Sequence, residues 1–214
     1  MKSLKYFLTA LCLVAVVFAV CACDIPSNVV VGLDGIGNML KNDYKQTKLV
    51  VDTTEGGVKL SDTFLVTKGE DKISVAVKLQ RLATFEQDDN GNIVVPSKQI
   101  KETIGSFDVV DGKVVNASQG LDVSELPVVA VDASGFNFSA ECLSDVKIGT
   151  NKMTASVKDV DKFVGVSDFD GNDMTVEVTF AYDVAAASGN LQQMVVNYVT
   201  TSGVQAAFTF TFVA

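Results

Sequence analysis

"MTVEVTFAYDV", residues 174–184, alternates with a period of two. Met174, Val176, Val178, Phe180 and Tyr182 fall on one side, and Thr175, Glu177, Thr179 and Asp183 on the other. Such alternation describes a strand with one face in a core and the other in water, the usual state of an antiparallel sheet. "VQAAFTFTFVA", 204–214, repeats the pattern, with Val204, Ala206, Phe208, Phe210 and Phe212 set against Gln205, Thr209 and Thr211. Between them "LQQMVVNYVT", 191–200, is apolar or amphipathic on both faces and reads as a central strand covered on both sides. The connections, "AAASGN" at 185–190 and "TSG" at 201–203, are short and turn-like. The last forty residues therefore predict a three-stranded antiparallel meander.

The same period extends toward the N-terminus. "ISVAVKLQRLATF", 73–85, places Ile73, Val75, Val77 and Leu79 on one face and then loses phase at Arg81 and Leu82, which predicts a bulge or an exit from the core. "DDNGN", 88–92, is a turn signal before "IVV". "FDVVDGKVVN", 107–116, reads as a hairpin with Asp111-Gly112 at its tip. "FNFSAECL", 136–143, groups Phe136, Phe138, Ala140 and Cys142, and "KMTASVKD", 152–159, is a further candidate strand. Helices are few and short. Candidates are 35–46, 97–105 (from a capping-type Ser97 to Gly105) and 158–165 (ending on Gly165). The expected fold is mainly β: antiparallel sheet or sheets, as a sandwich or a curved half-barrel, with two or three short helices. A possible sub-boundary lies near 116–127. A faint echo, "GEDKISVAV" at 69–77 against "GNDMTVEV" at 171–178, raises a duplication but slips by one residue in strand phase.

Composition narrows the chemistry. Nearly half of the residues are apolar, enough for a packed core rather than a disordered chain. There is no histidine, so Ser-His-Asp and Cys-His nucleophile systems and histidine-ligated metals are excluded. There is no tryptophan, so a sugar-stacking platform would need Phe or Tyr. Arg81 is the sole arginine, which rules out a multi-arginine phosphate clamp. The formal charge is −9, and −11 without Lys2 and Lys5 (−9 − 2), which disfavours nucleic acid as a partner. The expectation is a protein that is not an enzyme and carries no cofactor, with paired carboxylates as the one catalytic option left open.

Two acidic stretches remain as candidate cation sites. "SDFDGND", 167–173, offers Asp168, Asp170, Asn172 and Asp173; "EQDDNGN", 86–92, offers Glu86, Asp88, Asp89, Asn90 and Asn92. Calcium takes six to eight oxygens, but neither stretch has EF-hand spacing: counted from Asp168 position twelve is Thr179, and from Glu86 it is Ser97. Asp, Asn and Gly in such turns are more often there for their backbone dihedrals. Arg81 is a candidate anion ligand, set against a strand-end salt bridge. Cys142 is a candidate reactive thiol, set against a small hydrophobe in the core, and it lacks a histidine to activate it.

The N-terminus supplies the address. Lys2 and Lys5 precede an uncharged run, Leu8 to Val20, which is shorter than the roughly 20 residues of a spanning helix and reads as an export signal over residues 1–22. Its exit, Val20-Cys21-Ala22-Cys23, resembles the bacterial lipobox, in which a small residue precedes a cysteine that is lipidated and becomes residue one. It departs from the family's pattern at Cys21, where Ala or Ser is usual, and at Val20, where Leu is commonest. The resemblance implies a lipoprotein signal, acylation of Cys23, palmitate among its acyl chains, and an extracytoplasmic domain, 23–214, held to a bacterial membrane of the cell envelope. The alternative is simple cleavage and secretion with Cys23 unmodified, in which Cys23 and Cys142 could be joined by a disulfide, although the core-facing position of Cys142 favours an unpaired thiol. The function expected is a membrane-tethered, non-catalytic binding or structural domain. The alternative is a carrier of an acyl chain or other apolar ligand in a β-lined cavity, since the strand pattern resembles curved half-barrel lipoprotein carriers.

Overall fold

In the computed structural model, residues 31–87, 89–94, 99–111, 113–122, 133–183 and 188–214 are described. Ten strands form one antiparallel sheet: β1 (Gln46–Glu55), β2 (Val58–Lys68), β3 (Ile73–Leu82), β6 (Ile100–Val110), β7 (Lys113–Val115), β8 (Leu143–Ile148), β9 (Lys152–Val157), β10 (Asn172–Asp183), β11 (Ser188–Val199) and β12 (Gln205–Val213). A separate two-stranded hairpin joins β4 (Glu86–Gln87) to β5 (Ile93–Val94). The sheet order is β7-β6-β3-β2-β1-β12-β11-β10-β9-β8. Each half is thus a meander, and the halves meet through β1 and β12, paired from Gln46↔Val213 to Thr53↔Ala206. The sheet is open between β7 and β8. The stretch near 116–127 follows the edge strand β7, and 123–132 lie outside the described residues. Five antiparallel pairings separate β3 from β10, so the two echoing segments run in opposite directions.

The predicted C-terminal meander is present as β10-β11-β12. Met174, Val176, Val178 and Phe180 are buried on one strand, and Ala206, Phe208, Phe210 and Phe212 on another. β11 is not covered on both faces. Leu191, Met194 and Val196 are buried, whereas Gln192, Gln193 and Asn197 are exposed. The register jumps from Thr179↔Gln193 to Phe180↔Leu191, so Gln192 is an extra residue that shifts the phase. Two half-patterns offset by one residue look apolar on both sides.

The predicted hairpin is β6-β7, closed from Val110↔Lys113, with Asp111 at a positive φ of 50°. Residues 100–105 are strand, not helix. β6 pairs with β3 from Leu82↔Ile100 to Ile73↔Val109, and that continuous ladder overrides a local helical signal already weakened by β-branched Ile100, Thr103 and Ile104. The helix expected at 35–46 is α1, Leu33–Leu40. The helix expected at 158–165 is α2, Val160–Val164, where Asp159 accepts from the Lys162 amide and Gly165 ends the turn at φ 76°. Of the four residues grouped at 136–142, Phe136, Phe138 and Cys142 are in the core, but Ala140 is exposed, because the segment turns at 140–142 instead of running on as a strand.

All sheet strands bury the same face. Phe107 of β6, Leu49 of β1, Phe210 of β12 and Leu143 of β8 belong to one core cluster with Ile36, Met39 and Phe163. A ten-stranded sheet is about 43 Å wide at ~4.8 Å per strand, whereas α1, at eight residues, is only about 12 Å long. The inner layer is completed by Phe136, Phe138 and α2, which belong to the same cluster. The architecture is therefore one open antiparallel sheet with a single buried face and not two separate sheets.

Candidate functional site

The buried face is filled by the chain itself. Phe136 packs on Phe163 (ring centroids 5.2 Å) and edge-on against Phe210 (5.7 Å), and Phe138 meets Phe163 at 5.5 Å. Beside them α1 contributes Ile36, Met39 and Leu40. Gly37 faces Phe138 at ordinary packing distance, since a Cβ there would lie 3.9 Å from the Phe138 Cβ. The C-terminal end of α1 is tied to β11 by Tyr44. Its hydroxyl donates to the Met39 carbonyl over 2.8 Å and accepts from the Leu191 amide over 2.7 Å, while its ring lies 4.8 Å from Phe212. Burial pushes the Tyr44 phenol pKa up.

The outer side of this inner layer is a groove of about 570 Å³. Leu33, Asp34, Gly37, Asn38 and Lys41 line one wall and residues 134–139 the other. Phe136 and Phe138 are buried, so its accessible chemistry is mainly polar, from Asp34, Asn38, Lys41, Ser134, Asn137 and Ser139, with the half-buried Leu33 beside them. The far wall is held by the Asn137 amide, which donates to the Phe163 carbonyl over 2.9 Å. The sequence signal for this site was slight: Asp34, Asn38 and Lys41 recur at i, i+4 and i+7 and look like the wet side of any surface helix. A second cleft, of about 390 Å³, lies between Asn42 and the β10-β11 end.

The residues singled out from sequence lie elsewhere and do not converge. Arg81 is in the strand-end salt bridge: Nη1 donates to both oxygens of Asp62, at 3.0 and 2.9 Å, and to the Gln80 carbonyl at 2.7 Å. The pair sits where the sheet forks. β2 and β3 stop pairing beyond Thr63↔Lys78, and the Gln80 amide donates to Asp62 while the Ser61 amide donates to the Gln80 side chain. The loss of phase at Arg81 falls where β3 has left β2 and pairs with β6 alone. In the 167–173 stretch the backbone dominates. Asp168 and Asp173 have positive φ of 59° and 48°. The amides of Asp168 and Phe169 donate to Asp161, and Asp170 accepts from the Thr201 amide over 2.7 Å, which holds its carboxyl pKa down. Asn172 opens β10. Among the described residues no three Asp, Glu or Cys side chains are placed to share a metal ion. The 86–92 stretch forms the β4-β5 hairpin, with Gly91 at φ 82° and residue 88 outside the described residues.

No protein-family model and no curated protein matches this chain. Cys142 is a free, buried thiol that accepts from the Ser139 hydroxyl at 3.4 Å. Cys23 and the export segment 1–22 lie outside the described residues. Among the described residues no helix is long and apolar enough to cross a membrane.

Proposed function

We propose that this chain is an extracytoplasmic bacterial lipoprotein, anchored by acylated Cys23, whose β domain has a non-catalytic binding or structural role. The observation that carries the proposal is the run from Leu8 to Cys23: a positive start, an uncharged apolar stretch and a small residue directly before cysteine. The position of the folded body is consistent with a tether. Val31 already lies in the core, eight residues after Cys23, which limits the reach to about 28 Å at ~3.5 Å per residue. A single acyl chain binds a bilayer only marginally, so a stable anchor requires at least two. The acidic surface gives no attraction to anionic lipid, and the anchor alone holds the protein there.

The filled inner face favours a binding or structural role over carriage of an acyl chain. Ile36, Phe163 and Phe210 have no exposed surface, and a chain-length ligand would have to displace them. The test is labelled palmitate in cells making the wild type or Cys23→Ala. Label in the wild type that is lost in the variant is expected; equal label in both discards the anchor. A fluorescent fatty acid should give no saturable signal, and saturation would restore the carrier reading.

A further inference from the structure

We propose that the groove between α1 and residues 134–139 binds a short extended peptide with both termini free, about three residues long. This rests on the binding-domain reading above and names its ligand class. The groove's volume, about 570 Å³, lies in the range of small-ligand sites. Its two charged side chains have opposite sign and sit on one helix face. Asp34 lies in the first turn of α1 and Lys41 caps its C-terminus, so their Cα atoms are about 10.5 Å apart along the axis at 1.5 Å per residue, and their side chains bracket a ligand on that scale. Neither takes part in a salt bridge among the described residues.

That arrangement selects by charge. A purely anionic ligand meets Asp34, and a purely cationic one meets Lys41. A molecule with an ammonium at one end and a carboxylate about 10 Å away satisfies both, and three extended residues at ~3.3–3.6 Å each span that length. Between the charges stand Asn38 and, opposite, Asn137 and Ser139. Amides and hydroxyls both donate and accept, as a peptide backbone requires. A sugar would want an aromatic face, but both phenylalanines at the groove are buried in the core. An acyl chain would want a mainly apolar lining, whereas Asp34, Asn38, Lys41, Asn137 and Ser139 make this one mainly polar.

The test is isothermal titration of the full chain in detergent with trialanine, N-acetyl-trialanine and trialanine amide. Saturable binding of trialanine is expected. Acetylation and Asp34→Asn should each weaken it at least tenfold, and acetylation should cost Asp34→Asn nothing further. Amidation and Lys41→Gln should form the matching pair. No saturable trialanine binding, or capped peptides binding as well as the free one, overturns the proposal whatever the variants do. Either result leaves the palmitate experiment untouched, so failure of the site and failure of the anchor are separable.

Discussion

Tyr44 and Leu191, 147 residues apart, share a buried hydrogen bond of 2.7 Å that fastens the only long helix among the described residues to the bulged strand of the sheet. The Leu191 amide lies beside the extra residue Gln192, where the ladder with β10 is interrupted, and the Tyr44 hydroxyl supplies the acceptor that it needs. Tyr44→Phe keeps the ring against Phe212 and removes only the hydroxyl. A buried donor left without a partner costs about 1–3 kcal/mol. A loss of that size in urea unfolding is expected, with an unchanged m-value; no loss would mean that water replaces the hydroxyl.

The neighbouring Gly189 is fixed by contact. A Cβ there would stand 2.7 Å from the Ala181 carbonyl oxygen, 2.7 Å from the Tyr182 ring and 2.9 Å from the Met39 sulfur. The sulfur and ring can yield, but the sheet carbonyl cannot. Gly189→Ala should cost about 1–3 kcal/mol, the usual range for overpacking. Gly149→Ala, whose Cβ would have an ordinary 3.6 Å contact, should cost nothing measurable by thermal unfolding.

Asp108 gives the fold a defined acid limit. Lys72, then Asn116 and Ser74, donate to its carboxylate and hold its pKa at about 2, against an ordinary 3.8. The folded value lies below the unfolded one, so the contribution is complete above pH 3.8 and disappears as pH falls from there to about 2. The wild type should exceed Asp108→Asn in urea midpoint at pH 5 and converge with it near pH 2. A constant gap across that window would contradict the assignment.

Much of the sheet was legible because β3, β10 and β12 each have a wet face and a dry face, so their residues alternate. β1 and β2 were not delimited, since Asp62 and Thr53 break the apolar series on the buried side near the fork. β6 imitated a helix at 97–105 because its first half extends past the core, where Lys101 and Thr103 take the positions that buried Phe107 and partly buried Val109 hold in its second half. The groove was illegible for a different reason. It exists only where α1 meets residues 134–139, about a hundred positions later, and no local period records that meeting.

Arg81 and Asp62 should have unequal effects. The arginine is about half exposed, and pairs of this kind contribute roughly 0–1 kcal/mol, so Arg81→Ala should be mild. Asp62→Ala also strands the Gln80 amide at the fork, and it should cost about 1 kcal/mol more. Faster amide exchange at Gln80 in Asp62→Ala, but not in Arg81→Ala, would show the difference directly; equal exchange in both would contradict it.

The most direct measurement of the proposed address is the intact mass of the mature protein extracted from membranes. A chain beginning at Cys23 is expected, heavier than its residues by a diacylglyceryl group, with any N-acyl chain adding further mass. A chain of unmodified mass, or one recovered from spent medium with a free first cysteine, would contradict it.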